Sequence, residues 1–323
     1  MDIIKNIQVP TGNILIVSGD KGNLEFLSIG DYGKEANLKC DALGLTREIG
    51  KVQHVEMLPL SEKWVITVST QYGCSMNCTF CDVPKVGPGI NVTLDDLIQQ
   101  ISLGLGLHPE VKSGKRLNVH YARMGEPTFN PEVLRSAYAL QLLLKDFDTV
   151  HPVVSTMMPK NNKFLKKFLN EWMYIKNEIF QGEAGLQLSL NSTCEQERKL
   201  MFSGNSLSLS DISDVVSAYR PKGRKITLNF AVADYTIDPS VLLKYFDPKY
   251  FIIKLTPMHK THTALKNSIK TNGDYTTFYP YKQHEKTLKS VGYDVLVFIA
   301  SVEEDLGRIT CGNAILSGST PDY

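Results

Sequence analysis

The sequence predicts an α/β protein built as a partial (β/α)6 barrel, preceded by a small β-rich extension. Three observations carry this. First, apolar, β-branched runs of strand length recur after residue 60: Trp64–Thr70, Leu117–Arg123, Pro152–Thr156, Leu186–Leu190, Ile226–Val232, Phe251–Thr256 and Val295–Ala300. Second, helix-like stretches lie between most of them, and alternating strands and helices make parallel βαβ units. Third, residues 1–60 show no long amphipathic helix, only short strand candidates separated by Gly and Asp.

Taken in order, Asn13–Val17 and Leu24–Leu27 are the strand candidates of the extension. The barrel is expected over residues 61–300. Within it Thr93 reads as a helix N-cap, with Asp96 placed to complete a capping box. Pro131 opens a second helix, at an early position where a missing N–H costs nothing. Lys163–Phe168, Ser210–Tyr219 and Tyr281–Ser290 read as further helices, and residues 301–323 form a tail containing Cys311. In such folds chemistry gathers at the carboxyl ends of the strands.

The 323 residues suffice for one large domain with a smaller appendage. The longest apolar run, Val295–Ala300, falls far short of the roughly 20 residues that cross a bilayer. The first residues lack the layout of a signal peptide, so the expectation is a cytoplasmic protein with no membrane partner. The net charge of +1 gives no general attraction for polyanions. Local groups could still meet phosphate: Lys163, Lys166 and Lys167, or Lys222, Arg224 and Lys225. Clusters of this kind are more often solvated faces.

Cysteines stand at 40, 74, 78, 81, 194 and 311. Cys74, Cys78 and Cys81 are crowded into one loop after the first strong strand, which reads as metal or iron–sulfur ligation rather than a disulfide framework. Thiolates suit zinc and iron–sulfur clusters alike. A closed zinc site wants four ligands, and a distant residue such as Cys40 would have to complete it. A 4Fe–4S cluster held by three cysteines leaves one iron open, where S-adenosylmethionine (SAM) can bind and accept an electron. Phe80 would shield that cluster or contact adenine, or simply pack.

The strand ends offer polar groups for such a ligand. Met124-Gly125-Glu126-Pro127 follows the second strand, where Gly125 allows close backbone approach and Glu126 could hold an ammonium. Ser155, Ser189 and Asn191 end the next two strands and suit a ribose or a carboxylate, or cap loops. His259 ends a later strand and could contact adenosine or substrate, or be an ordinary loop histidine.

Together these residues resemble the RlmN/Cfr-type radical SAM methyltransferases, from Val65 to Leu316. Val68–Cys74, Asn91–Gln100, Met124–Pro127, Val154–Thr156 and Leu188–Leu190 match in order and spacing, and Cys311-Gly312-Asn313 resembles a late cysteine motif. The resemblance implies a TIM-like radical SAM barrel with a 4Fe–4S cluster and SAM. It implies methylation of an adenine carbon in ribosomal or transfer RNA, and a reductase electron donor such as flavodoxin or ferredoxin. It makes Cys311 the methyl carrier. The departures matter as much. The family's second cysteine, which forms a disulfide with the methyl carrier, falls on Thr67, leaving Cys40 and Cys194 as the unassigned thiols. A family glutamate falls on His54, with Glu56 as the other candidate acid or base. His259 stands for a family Asn, and the amino-terminal RNA-binding module is missing. These departures open an alternative: the same scaffold acting on a small molecule, nucleotide or peptide.

Overall fold

The computed structural model describes residues 1–31, 57–271, 279–300 and 302–321. The expected strands all form. β1 (Ile3–Val9), β2 (Gly12–Gly19) and β3 (Gly22–Ile29) make an antiparallel meander. The barrel strands are β4 (Trp64–Val68), β7 (Gly114–Tyr121), β8 (Phe147–Thr156), β9 (Gly185–Ser189), β10 (Ile226–Val232), β11 (Phe251–Pro257) and β12 (Asp294–Val297). Between β4 and β7 a short hairpin, β5 (Gln71–Gly73) and β6 (Pro88–Asn91), forms a separate two-stranded sheet.

Among the described residues the main sheet has the order β1-β2-β3-β4-β7-β8-β9-β10-β11-β12. From β4 to β12 every pair is parallel. β12 does not return to β4, so the structure is a partial TIM-like barrel, as the sequence predicts. β3 pairs antiparallel with β4, so the meander extends the barrel sheet itself. Its β1 strand carries no alternating signal in the sequence, because Ile3–Val9 is mostly exposed and lacks a buried alternating face.

The helices follow their local signals. Thr93 caps α1 (Leu94–Gly106), and the reciprocal bond from Asp96 completes the capping box. α2 (Glu132–Leu143) starts just after Pro131. α3 (Leu165–Tyr174) begins two residues later than the sequence suggested and runs on through an apolar stripe of Leu165, Phe168, Leu169 and Trp172. α4 (Glu195–Met201), α5 (Leu209–Val216), α6 (Pro239–Tyr245), α7 (His262–Lys266), α8 (Tyr279–Ser290) and α9 (Val302–Leu306) complete the set. No described helix is long and apolar enough to cross a membrane.

Period-two alternation divides the barrel sheet into two faces. Leu188, Leu228, Ile253 and Val295 are register neighbours, buried with Trp172, Ile212 and Leu242 of the helices. The opposite face is polar and half-buried: Ser155 pairs with Gln187, and Ser189, Asn229, Lys254 and Leu296 lie side by side. The polar face is thus backed by an apolar helical shell.

Candidate active site

The cluster loop follows β5, and its shape depends on glycine. Gly73 has φ +78°, and a Cβ there would sit 2.1 Å from the carbonyl oxygen of Gly87. A side chain would force the loop off the hairpin. The loop then brings Cys74, Cys78 and Cys81 into mutual electrostatic range. Cys78 is buried with Met76, Met201 and Phe202, and its thiol donates to the Met157 sulfur at 3.3 Å. Phe80 meets Phe202 edge-on at 6.1 Å.

Burial pushes the Cys74 thiol up to about 11; Glu126 adds to the rise, while the amides of Met76 and Gly125 oppose it. Cys78 and Cys81 are raised too, by burial first. Repulsion from the neighbouring thiolates follows, with Glu126 adding for Cys78 and with Asp82 and Cys311 adding for Cys81. Three thiols, Cys78 buried and Cys74 and Cys81 half-buried, that resist ionisation beside a buried carboxylate are electrostatically frustrated, and a cationic iron–sulfur centre would reverse that sign. The donor set therefore fits such a group. Among the described residues no three His, Cys, Asp or Glu side chains gather as ligands of a single metal ion.

Glu126 is fully engaged by its neighbours. Oε1 accepts from the Thr128 amide and hydroxyl at 3.2 and 2.7 Å, and Oε2 accepts from the Met157 amide at 2.9 Å. Burial raises its pKa against those bonds. The carboxylate thus joins the loops after β7 and β8. Gly125 has φ +92°, and its close approach is to Gln71, whose Cβ would lie 2.5 Å from an added Cβ. Ser155 and Ser189 stand half-buried on the polar face. Asn191, at φ +60°, uses its Oδ1 to hold the Ala231 amide at 2.9 Å.

His259 is buried, with Nδ1 3.3 Å from Asp305 Oδ1. Asp305 Oδ1 also accepts from Thr310 Oγ1 at 3.0 Å, and Thr310 accepts from Asn313 Nδ2 at 2.9 Å. His259 therefore faces the loop that carries Cys311. Cys311 is itself exposed. Cys194 stands at the start of α4, and Thr67 is half-buried on the polar face of β4. His54, Glu56 and Cys40 lie outside the described residues.

Several residues that organise the site escape the sequence motifs. Asp82, directly after Cys81, is buried. Its Oδ1 accepts from Lys85 Nζ at 2.6 Å and from the Thr263 amide and hydroxyl at 2.9 and 2.6 Å; Oδ2 accepts from the His262 amide at 3.0 Å. Burial would raise its pKa, but these bonds outweigh burial and hold it below the usual carboxylate range. Thr261 caps α7 and donates to the Phe80 carbonyl at 2.8 Å. Glu25 of β3 binds Arg123 at 2.7 Å and the Leu316 amide at 2.9 Å, while Arg123 Nη2 holds the Arg308 carbonyl at 3.0 Å. A small apolar cluster of Val9, Ile14, Ile16, Leu27, Ile309 and Ile315 packs the tail on the meander. The amino-terminal strands thus seat the carboxyl-terminal loop.

No protein-family model matches the sequence. A probable dual-specificity RNA methyltransferase RlmN of Bacteroides thetaiotaomicron is 28% identical over 254 residues, 71% of this chain and 68% of its own. A dual-specificity RNA methyltransferase RlmN of Sorangium cellulosum is 25% identical over 306 residues, 91% of this chain and 73% of its own. A probable RlmN of Aquifex aeolicus is 24% identical over 185 residues, and there the chain spans only 50% of the relative's length. A radical SAM methyltransferase structure from Sphaerobacter thermophilus superposes with a TM-score of 0.66 at 17% identity, covering 97% of this chain and 80% of that one. The chain is thus similar in sequence to RlmN RNA methyltransferases, and it has the fold of a radical SAM methyltransferase.

Proposed function

We propose that the chain transfers a methyl-derived carbon from SAM, through Cys311, to an sp2 carbon of adenine in RNA. Cys74, Cys78 and Cys81 would hold a 4Fe–4S cluster. Gly125, Glu126, Ser155, Ser189, Asn191 and His259 would surround SAM, and His54 or Glu56 would serve as acid or base. When bound, the cluster supplies the electron that splits SAM reductively. The chain's own groups orient, exclude water and carry the methyl group. The Cys311 sulfur can accept the methyl group as the S–CH3 bond of SAM breaks, S-adenosylhomocysteine leaving and the thiol proton passing to a base or to solvent. The carboxyl-terminal segment 301–323 is the catalytic loop in this reading, and the strands β1–β3 are its support. A reducing, cytoplasmic setting and a flavodoxin- or ferredoxin-type donor belong to the same proposal.

One observation carries it: the carbonyl of Gly312, the residue after Cys311, accepts the amide of Asp82, the residue after Cys81, at 2.8 Å, so the loop of Cys311 is bonded to the loop of the cysteine triplet. The test is anaerobic reconstitution with dithionite and methyl-labelled SAM. Release of 5′-deoxyadenosine, label on Cys311 and label in RNA are expected. Cys311→Ala should keep SAM cleavage and lose both labels. Absence of 5′-deoxyadenosine from well-loaded protein would sink the proposal.

Thr67 motivates a second reading. Its hydroxyl cannot form a disulfide with Cys311. The same chemistry would then act on a small molecule, nucleotide or peptide, and label would reach Cys311 but no RNA.

A further inference from the structure

The cluster loop is clasped between the ends of two short helices. Just beyond α4, the Met201 carbonyl accepts from the Thr79 amide at 2.9 Å, Ser203 Oγ donates to the Asn77 carbonyl at 2.5 Å, and Asn205 Nδ2 donates to the Met76 carbonyl at 3.0 Å. Just beyond α7, Asn267 Nδ2 donates to the Thr79 carbonyl at 2.6 Å. Thr79 thus joins both helix ends, and Cys78 stands between it and exposed Asn77. The last turn of α4 presents Lys199 and Leu200, and that of α7 presents Leu265 and Lys266, all four exposed. Leu200 and Leu265 keep 75% and 47% of their surface in solvent.

This patch carries charge of one sign. The chain as a whole is nearly balanced, with 35 Lys and Arg against 34 Asp and Glu. Yet residues 74–81, 199–210 and 258–271 contain no Asp or Glu at all. Lys199, Lys260 and Lys266 have no ion-pair partner among the described residues, and Lys270 is met by Asp234 at 3.4 Å. The flanking acids are engaged elsewhere: Glu195 accepts from the Leu209 amide, Glu197 from Ser192 and Thr236, and Asp82 is buried under its own donors. Single exposed leucines are ordinary on a surface. Two of them over one bonded junction, edged by unpaired lysines, make an apolar centre with a cationic rim. The patch exposes no Phe, Tyr or Trp on which a base would stack, because Phe80 and Phe202 pack against each other. A folded acidic protein therefore matches it better than RNA.

We propose that this patch, centred on Leu200 and Leu265 and edged by Lys199 and Lys266, is the docking face for an acidic one-electron carrier protein of the flavodoxin type. It rests on the reading that Cys78 helps to hold the cluster. From Asn77 or Thr79 the covalent path to the Cys78 sulfur is a single residue, so a carrier seated here has a short route through the loop. One electron leaves the carrier, which is oxidised, and reduces the cluster. The lysines steer the acidic partner, and the leucines exclude water from the contact.

The test titrates oxidised flavodoxin into the anaerobically reconstituted protein at low and at high sodium chloride, and measures Kd. It then compares 5′-deoxyadenosine release driven by reduced flavodoxin with release driven by dithionite. Binding should weaken with salt. Lys199→Glu and Lys266→Glu should each weaken it about tenfold and slow the flavodoxin-driven release, while the dithionite-driven release is unchanged. Leu200→Ser should weaken binding at both salt concentrations, because it removes apolar area rather than charge. No binding by the wild type, or equal binding by both charge variants, overturns the proposal. So does loss of RNA binding with flavodoxin binding intact, which would assign the patch to RNA. Absence of 5′-deoxyadenosine with dithionite defeats the cluster reading instead, and the binding titration, which needs no turnover, still decides the docking face.

Discussion

The Asp82 amide donates to the Gly312 carbonyl at 2.8 Å, tying the residue after Cys81 to the residue after Cys311. The Asp82 carboxylate adds the start of α7 to the same knot. The loop that holds the cysteine triplet and the loop that presents the last cysteine are therefore one mechanical unit, although they are far apart in sequence.

Removing that carboxylate should loosen the tail first. Asp82→Ala leaves the Lys85 ammonium, two amides and the Thr263 hydroxyl without their acceptor. A loss of about 3 kcal/mol is expected by urea denaturation. Amide hydrogen exchange should quicken across residues 310–318, while the β8–β10 amides stay protected. Uniform quickening would mean that Asp82 serves the whole fold rather than this junction.

The Glu25–Arg123 pair offers a second handle. Both side chains are nearly fully buried and 2.7 Å apart. Glu25→Gln leaves a buried guanidinium without its counter-charge and offers one oxygen to two donors, Arg123 Nε and the Leu316 amide, so a cost of about 3–5 kcal/mol is expected. Replacing both residues by Met should cost much less, because no charge is then left unpaired. Equal losses for the single and double variants would refute the pairing.

Much of this was legible from residues whose signals are local. The strand runs, the Thr93–Asp96 box and the cysteine triplet carry their meaning within a few residues. What stayed hidden depends on distant partners. Asp82 looks like an ordinary acidic residue until α7 folds back onto it, and Glu25 gives no hint that Arg123 will neutralise it. In the sequence, Gly125 and Glu126 suit ligand contacts, because they follow directly on a strand. Their neighbours Gln71, Thr128 and Met157 show that the same residues also build the loop.

Glu126 can be tested on that point. Glu126→Gln keeps the shape but gives up one acceptor, so either the Met157 amide or the Thr128 pair loses its bond. A loss of about 1–3 kcal/mol is expected. Because burial raises the Glu126 pKa, the folded protein holds that proton more tightly than the unfolded chain. This group alone then makes stability fall as pH rises from the unfolded value to the folded one. The variant should lack that component; an unchanged pH profile in metal-free protein would show that the carboxylate is not buried as described.

His151 should give the opposite dependence. Burial first, and then Arg116 and Arg224, lower its pKa from 6.5 to about 3, against the Glu183 hydrogen bond. Between those values the unfolded chain binds a proton that the folded protein refuses. Its contribution is complete above pH 6.5 and is lost as pH falls toward 3, with a slope approaching about 1.4 kcal/mol per pH unit. His151→Gln has no proton to refuse, so urea denaturation at pH 7, 6 and 5 in chloride should show a shallower decline than wild type. Identical slopes would mean that His151 is solvated or already charged.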